Sequence, residues 1–262
     1  MADMLYLVRA MSVAGVSDCW DGVDRWTRNM LAEAQLLETD WAYDYAARHG
    51  TEVHHEYAVR ESVPERCRGA WGGCIAASDW QGHPVISIPA CCAGNAARQL
   101  YIVWRDMISL DERAHRLTVH LLMNRASPWA DINSYIPCRG QVDVSLKRPC
   151  EVALRIPEWA APEDCVCTIN GIDVAPRWER RYAVVRANRG DEVGLQFPIT
   201  ERQQTLHIAG SDHRVIVRGT DIVDISPPGV HHPVFQRPHL RNDQPSRRKC
   251  ERFVADEVLR SS

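Results

Sequence analysis

From about Arg116 onward the chain is written in short runs that alternate apolar and polar residues, and this restricts its fold more than any other feature. "RLTVHLLM", "QVDVSLK", "EVALRIP", "RRYAVVR", "DEVGLQF", "RVIVRG" and "DIVDI" follow one another with turn residues between them. Alternation sends successive side chains to opposite faces of a strand, so each run has one face to bury. "CTINGIDV" sets Asn170-Gly171 between two such runs, the pair that a type I′ hairpin requires. Many short strands with turn signals between them predict an antiparallel β-sandwich over residues 111–262, large enough to fold by itself.

The first 110 residues have a helical texture instead. Met4, Leu7, Val8 and Met11 share one face at helical spacing before "GVSD" interrupts them. Ser17 or Asp18 can cap a second helix, in which Val23, Trp26, Met30, Ala34 and Leu37 recur every three or four residues. Stripes of this kind are usually core. Residues 41–48 read as a short helix, and 51–90 as irregular, Gly- and Pro-rich chain. A further helix is expected from Asn95 to Ile108, with Ala97, Leu100, Tyr101 and Trp104 on one side. The expected class is therefore α+β, a helical segment (1–110) followed by a β-sandwich region (111–262).

The net charge of −3 argues against a nucleic-acid partner. No apolar run approaches the roughly 20 residues that a membrane-spanning helix needs. Asp3 and Arg9 interrupt the apolar start "MADMLYLVRAMSVAG", which is then no secretory signal, and a cytoplasmic location is expected. In that setting most of the ten cysteines should be reduced. Cys165 and Cys167 flank Val166 in an expected strand and so point to one face, as small buried hydrophobes. Cys19 and Cys250 carry no signal. The pair His231-His232, in "PPGVHHPVF", reads as an exposed turn.

The adjacent cysteines of "PACCAGNAARQLYIVW", Cys91 and Cys92, stand where that further helix begins. Unpaired backbone N–H groups and the helix dipole favour a thiolate there, the form that binds metal or attacks an electrophile. A structural zinc site needs about four ligands, and a catalytic one three with an open position. Cys67, Cys74 and the group His54, His55, Glu56 are the other ligand types at hand, none at zinc-site spacing from Cys91. By composition alone, burial of the pair is the more economical reading. HExxH, GxSxG, P-loop and GxGxxG motifs are absent from the sequence.

"PACCAGNAARQLYIVW", "LLMNRASPWADINSYIP", "LRIPEWA" with "INGIDV" after it, and "PVFQR" with "ERFV" resemble, in that order, bacterial β-L-arabinofuranosidase-like proteins of glycoside hydrolase family 127. "WDGVDRWTRNMLAEAQLLETDW" looks like a helical segment of the same family, so the resemblance runs over nearly the whole chain. It implies an (α/α)6 barrel carrying the active site, followed by β-sandwich domains. It also implies a retaining mechanism on a β-L-arabinofuranoside or related glycoside. Cys91 matches the family's nucleophile and zinc ligand, and Cys92 a second ligand. The family's Glu-x-Cys ligand pair and its acid/base glutamate correspond to segments upstream of "ADMLYL", outside these residues.

Three expectations follow. Residues 1–110 are a remnant of such a barrel, with an incomplete zinc site and weak or no unaided activity. Their apolar helical faces, lacking barrel partners, favour homo-oligomerisation. The alternative is a non-catalytic remnant whose β-sandwich is a structural or carbohydrate-contacting module.

Overall fold

A computed structural model of the protein describes residues 2–50, 61–73, 75–82 and 90–242. Helices come first: α1 (Ala2–Val13), α2 (Trp20–Trp26), α3 (Asp40–His49), the single turn α4 (Val63–Arg66) and α5 (Ala90–Asp106). Strands follow from Ile108, and the α+β order read from the sequence is the one observed.

The helical stripes sit differently from the sequence expectation. In α1 the buried residues are Leu5 and Arg9, while Met4 and Leu7 are 53% and 51% exposed. The Arg9 guanidinium pairs with Asp106 at the end of α5, and this ion pair turns that face of α1 inward. After α2 the chain widens into a π-helical turn, Thr27–Leu31, which inserts an extra residue into the period. Leu31, Ala34 and Leu36 are buried as a result, and Met30 and Leu37 face solvent. Helix α5 begins five residues before the expected Asn95, because "ACCAG" is compatible with a helical first turn.

The strands are β1 (Ile108–Asp111), β2 (Arg116–Val119), β3 (Arg125–Ala126), β4 (Ala130–Ser134), β5 (Gln141–Leu146), β6 (Cys150–Arg155), β7 (Val166–Ile169), β8 (Ile172–Val174), β9 (Arg177–Glu179), β10 (Tyr182–Ala187), β11 (Glu192–Gln196), β12 (Glu201–Ile208), β13 (Ser211–Arg218) and β14 (Asp221–Ser226). They form a five-stranded sheet ordered β1-β2-β6-β10-β9, a six-stranded sheet β3-β4-β5-β11-β7-β8 and a three-stranded sheet β12-β13-β14. The β7–β8 hairpin turns at Asn170 and Gly171, with φ of 53° and 78°, the left-handed pair that a type I′ turn demands.

Among the described residues, strand pairing departs from a wholly antiparallel arrangement at one place. β2 and β6 run parallel, with Leu117 opposite Val152. The intervening chain crosses to the six-stranded sheet to build β3–β5, and a long crossover of that kind permits parallel neighbours.

One apolar core runs through helices and sheets alike. Leu5, Trp20, Val23 and Leu31 join Leu117, Val152 and Leu154 of the five-stranded sheet and Val142, Val144, Val193 and Leu195 of the six-stranded one. The three-stranded sheet instead closes a smaller cluster, in which Val215, Val217 and Ile225 meet Leu36, Trp80, Val234 and Phe235.

Candidate functional site

Cys91 and Cys92 occupy the first turn of α5. Cys91 is exposed, Cys92 half-buried, and their sulfurs are 3.9 Å apart. That is far beyond the ~2.05 Å of a disulfide, so the two are thiols. The other end of the helix is firmly held. Ala96, Gln99, Val103 and Met107 are buried, Asp106 pairs with Arg9, and Arg125 donates to the Trp104 and Arg105 carbonyls while lying 4.5 Å above the Trp104 ring. The helix thus presents an adjacent thiol pair at its less enclosed end.

Two thiolates supply half of a four-coordinate zinc set. Among the described residues no cluster of three or more His, Cys, Asp or Glu side chains could hold a metal ion. Cys67 lies at the end of α4, packed against the smaller apolar cluster. Cys74, His54, His55, Glu56 and Cys250 fall outside the described residues. The described residues do not fit a zinc ion.

Cys165 and Cys167 both pack against the main core, and burial pushes each thiol up to about 11. Cys167 is the buried small hydrophobe its alternation implied, whereas Cys165 lies just before β7, half-buried. His231 and His232, expected in an exposed turn, are half-buried. His232 stacks on Trp41 with centroids 5.3 Å apart, and His231 meets the Tyr45 edge at 4.7 Å. The Asp79 carboxylate fixes this turn by accepting the N–H groups of Val230, His231 and His232 at 2.7, 2.7 and 2.9 Å.

A second polar cluster was missed in the sequence. His120, just after β2, stacks flat on Trp20 at 4.5 Å. Its Nδ1 lies 2.9 Å from the Tyr182 hydroxyl and its Nε2 2.9 Å from Ser109 Oγ. Beside it Arg155 makes a bidentate pair with Asp21, at 2.9 and 2.5 Å, and reaches Asp18 at 3.2 Å. Burial first, and then the Arg155 charge, push His120 down to about 4. Serine, imidazole and phenol in series resemble a catalytic relay, but imidazolium is disfavoured here, which removes the basicity such a relay needs. The adjoining cavity of about 10 Å³ admits one water molecule rather than a substrate. The cluster fastens α2 to the five-stranded sheet. No sequence periodicity could reveal it, because its members come from five separated segments.

No protein-family description and no curated protein matches the chain. Three solved structures are similar in part. The GH127 β-L-arabinofuranosidase Ara127N-Se of Geobacillus stearothermophilus T6 shares 25% identity over 51% of this chain and 23% of its own, with a TM-score of 0.40. The GH127 β-arabinofuranosidase BT3674 shares 16% over 56% and 28%, with a TM-score of 0.43. A structure described as a glycoside hydrolase shares 18% over 66% and 28%, with a TM-score of 0.42. The chain spans about a quarter of the length of these structures.

Proposed function

We propose that these residues belong to a glycoside hydrolase of the β-L-arabinofuranosidase type, with Cys91 as nucleophile. The observation that carries the reading is the exposed Cys91 thiol beside Cys92 in the first turn of α5, within the stretch that most resembles the family. The Cys91 thiolate attacks the anomeric carbon, the glycosidic C–O bond breaks, and the departing alkoxide takes up a proton. Water then attacks the anomeric carbon and gives up a proton as the C–S bond breaks and the thiolate leaves, and the second inversion restores the starting configuration. No step is routed through zinc, because the described residues offer half a ligand set.

The resemblance assigns the proton donor to a glutamate outside these residues. A missing general acid lowers the rate by about 10²–10⁴. These 262 residues alone are therefore expected to turn over slowly or not at all. The test is release of L-arabinose from a β-L-arabinofuranoside, with the Cys91→Ser variant as control. Turnover indistinguishable from that variant rules out catalysis by this chain alone.

A second reading is supported by a different observation. The six-stranded sheet and its loops surround an open hollow bordered by polar side chains, remote in sequence from Cys91. That fits a non-catalytic, carbohydrate-contacting role for the β-sandwich.

A further inference from the structure

The hollow lies where β5, β11 and β7 end side by side. Gln141, Gln196 and Val166 are cross-strand neighbours there, with Gln196 opposite both of the others. Arg139, Asp164 and Pro198 complete the rim of a space of about 260 Å³. This is slightly below the range of drug-sized pockets and suits a single sugar ring.

Its walls are set in advance. On one side the 135–140 loop is closed by Arg139 N–H to the Tyr135 carbonyl at 2.9 Å and by Phe197 N–H to the Gly140 carbonyl at 2.8 Å. A Cβ on Gly140 would stand 1.9 Å from the Phe197 carbonyl oxygen, so only glycine lets the loop approach this closely. On the other side Asp164 is carried by a short 3₁₀ turn, Pro162–Asp164, closed by Asp164 N–H to the Ala161 carbonyl at 3.1 Å and Cys165 N–H to the Pro162 carbonyl at 3.2 Å, with the Cys165 thiol donating to the Ala161 carbonyl at 3.2 Å. Walls braced in this way lower the ordering cost of binding.

The rim chemistry narrows the ligand class. The Arg139 guanidinium, the Asp164 carboxylate and the Gln196 amide make no hydrogen bond or ion pair to the described residues. Gln141 donates its amide to Asp143 at 3.0 Å, which leaves its carbonyl oxygen to accept. Donors and acceptors are thus both on offer, as hydroxyl groups require. One positive and one negative charge cancel, which disfavours simple anions and cations alike. Val166, 45% exposed, and Pro198 give an apolar patch for the C–H face of a ring.

We propose that this hollow binds a neutral saccharide unit. The proposal rests on and deepens the carbohydrate-contacting reading of the β half, is independent of the Cys91 reading, and would serve to hold a glycan against that half of the chain. About ten non-hydrogen atoms at ordinary ligand efficiency imply a Kd on the order of 1–10 mM.

The experiment is an amide-resolved NMR titration of the full chain with L-arabinose and, separately, D-galactose. Saturable shifts confined to Gln141, Asp164, Val166 and Gln196 are expected, unchanged in Cys91→Ser and weakened at least tenfold in Asp164→Ala and in Gln196→Glu. Both substituted residues are exposed, so the fold should persist, and an unchanged spectrum elsewhere will show that it does. Glycine serves as the zwitterionic control. An equal response to glycine, shifts at other residues only, or no saturable shift at ~100 mM sugar would each overturn the proposal. Sugar binding without turnover would leave it standing while ruling out catalysis by this chain alone.

Discussion

Asp79 is expected to be the residue on which the three-stranded end of the molecule most depends. Its Oδ2 accepts N–H groups from Val230 and His231 at 2.7 Å each, and Oδ1 accepts those of His232 at 2.9 Å and Gln81 at 3.2 Å. The substitution Asp79→Asn keeps the shape but leaves one acceptor oxygen. If that oxygen takes the place of Oδ2, the new NH₂ group confronts the two N–H donors of His232 and Gln81. Losing two charge-assisted bonds at about 1.5 kcal/mol each costs about 3 kcal/mol. For a chain of this size that lowers Tm by about 6–12 °C.

The pH dependence gives a second, independent handle. Burial alone would raise the Asp79 carboxyl, but the four backbone N–H donors outweigh it and hold the group below its ordinary value. On acidification the unfolded chain therefore takes up this proton before the folded one does. The stabilisation is complete above the unfolded value, about 3.9, and is lost as pH falls through the lower folded value. Urea unfolding of both proteins at pH 7 and pH 3 measures this directly, with hydrogen exchange at Val230 and His231 as the local probe. A difference under about 0.5 kcal/mol at pH 7, or one that persists unchanged into acid, would refute the reasoning.

Three further outcomes are expected. The buried Asn29 amide donates to the Arg25 and Thr220 carbonyls and accepts from Ile222 N–H and Arg237, so Asn29→Ala should destabilise by about 2–4 kcal/mol in urea unfolding. Gln99 is fully buried and its amide has no partner among the described residues; Gln99→Met should therefore raise stability by about 1–3 kcal/mol, and a drop would show the amide to be satisfied. His120 should titrate near 4 by NMR; because its folded value is depressed, stability falls by about 3 kcal/mol as pH drops from about 6.5 to 4, and His120→Phe should flatten that slope.

The legible parts of the fold were those governed by local chemistry. Alternation located the strands, and Asn170-Gly171 fixed a hairpin through the left-handed φ values that only a few residues tolerate. Helical spacing found the helices but misplaced two of their faces. Arg9 was read as a break in an apolar stretch, whereas its pairing with Asp106, 97 residues away, makes that side of α1 the buried one. The π-turn at Thr27–Leu31 likewise shifts the phase without changing composition, so no constant period could follow it. At the site, the cysteine pair was visible because neighbours in sequence are neighbours in space. The Asp79 clasp and the sheet hollow were not, since each is assembled from segments brought together only by the sheets.

The position of the thiol pair also bears on how catalysis would fail. A nucleophile must be held close to its attack position, and misplacement by ~1 Å can cost about 10²-fold. In α5 the anchoring contacts cluster toward the C-terminal half, at Gln99, Val103, Trp104 and Asp106, while Cys91, Gly94 and Asn95 in the first turn and a half are exposed. Among the described residues, then, Cys91 has a helix to stand on but no packed shell to fix its rotamer. If Cys91 is the nucleophile proposed above, weak anchoring acts on the bond-breaking step and should therefore depress kcat more than it raises KM. A defect in sugar binding would do the reverse, so the division between kcat and KM separates loss of the catalytic turn from loss of the saccharide contact.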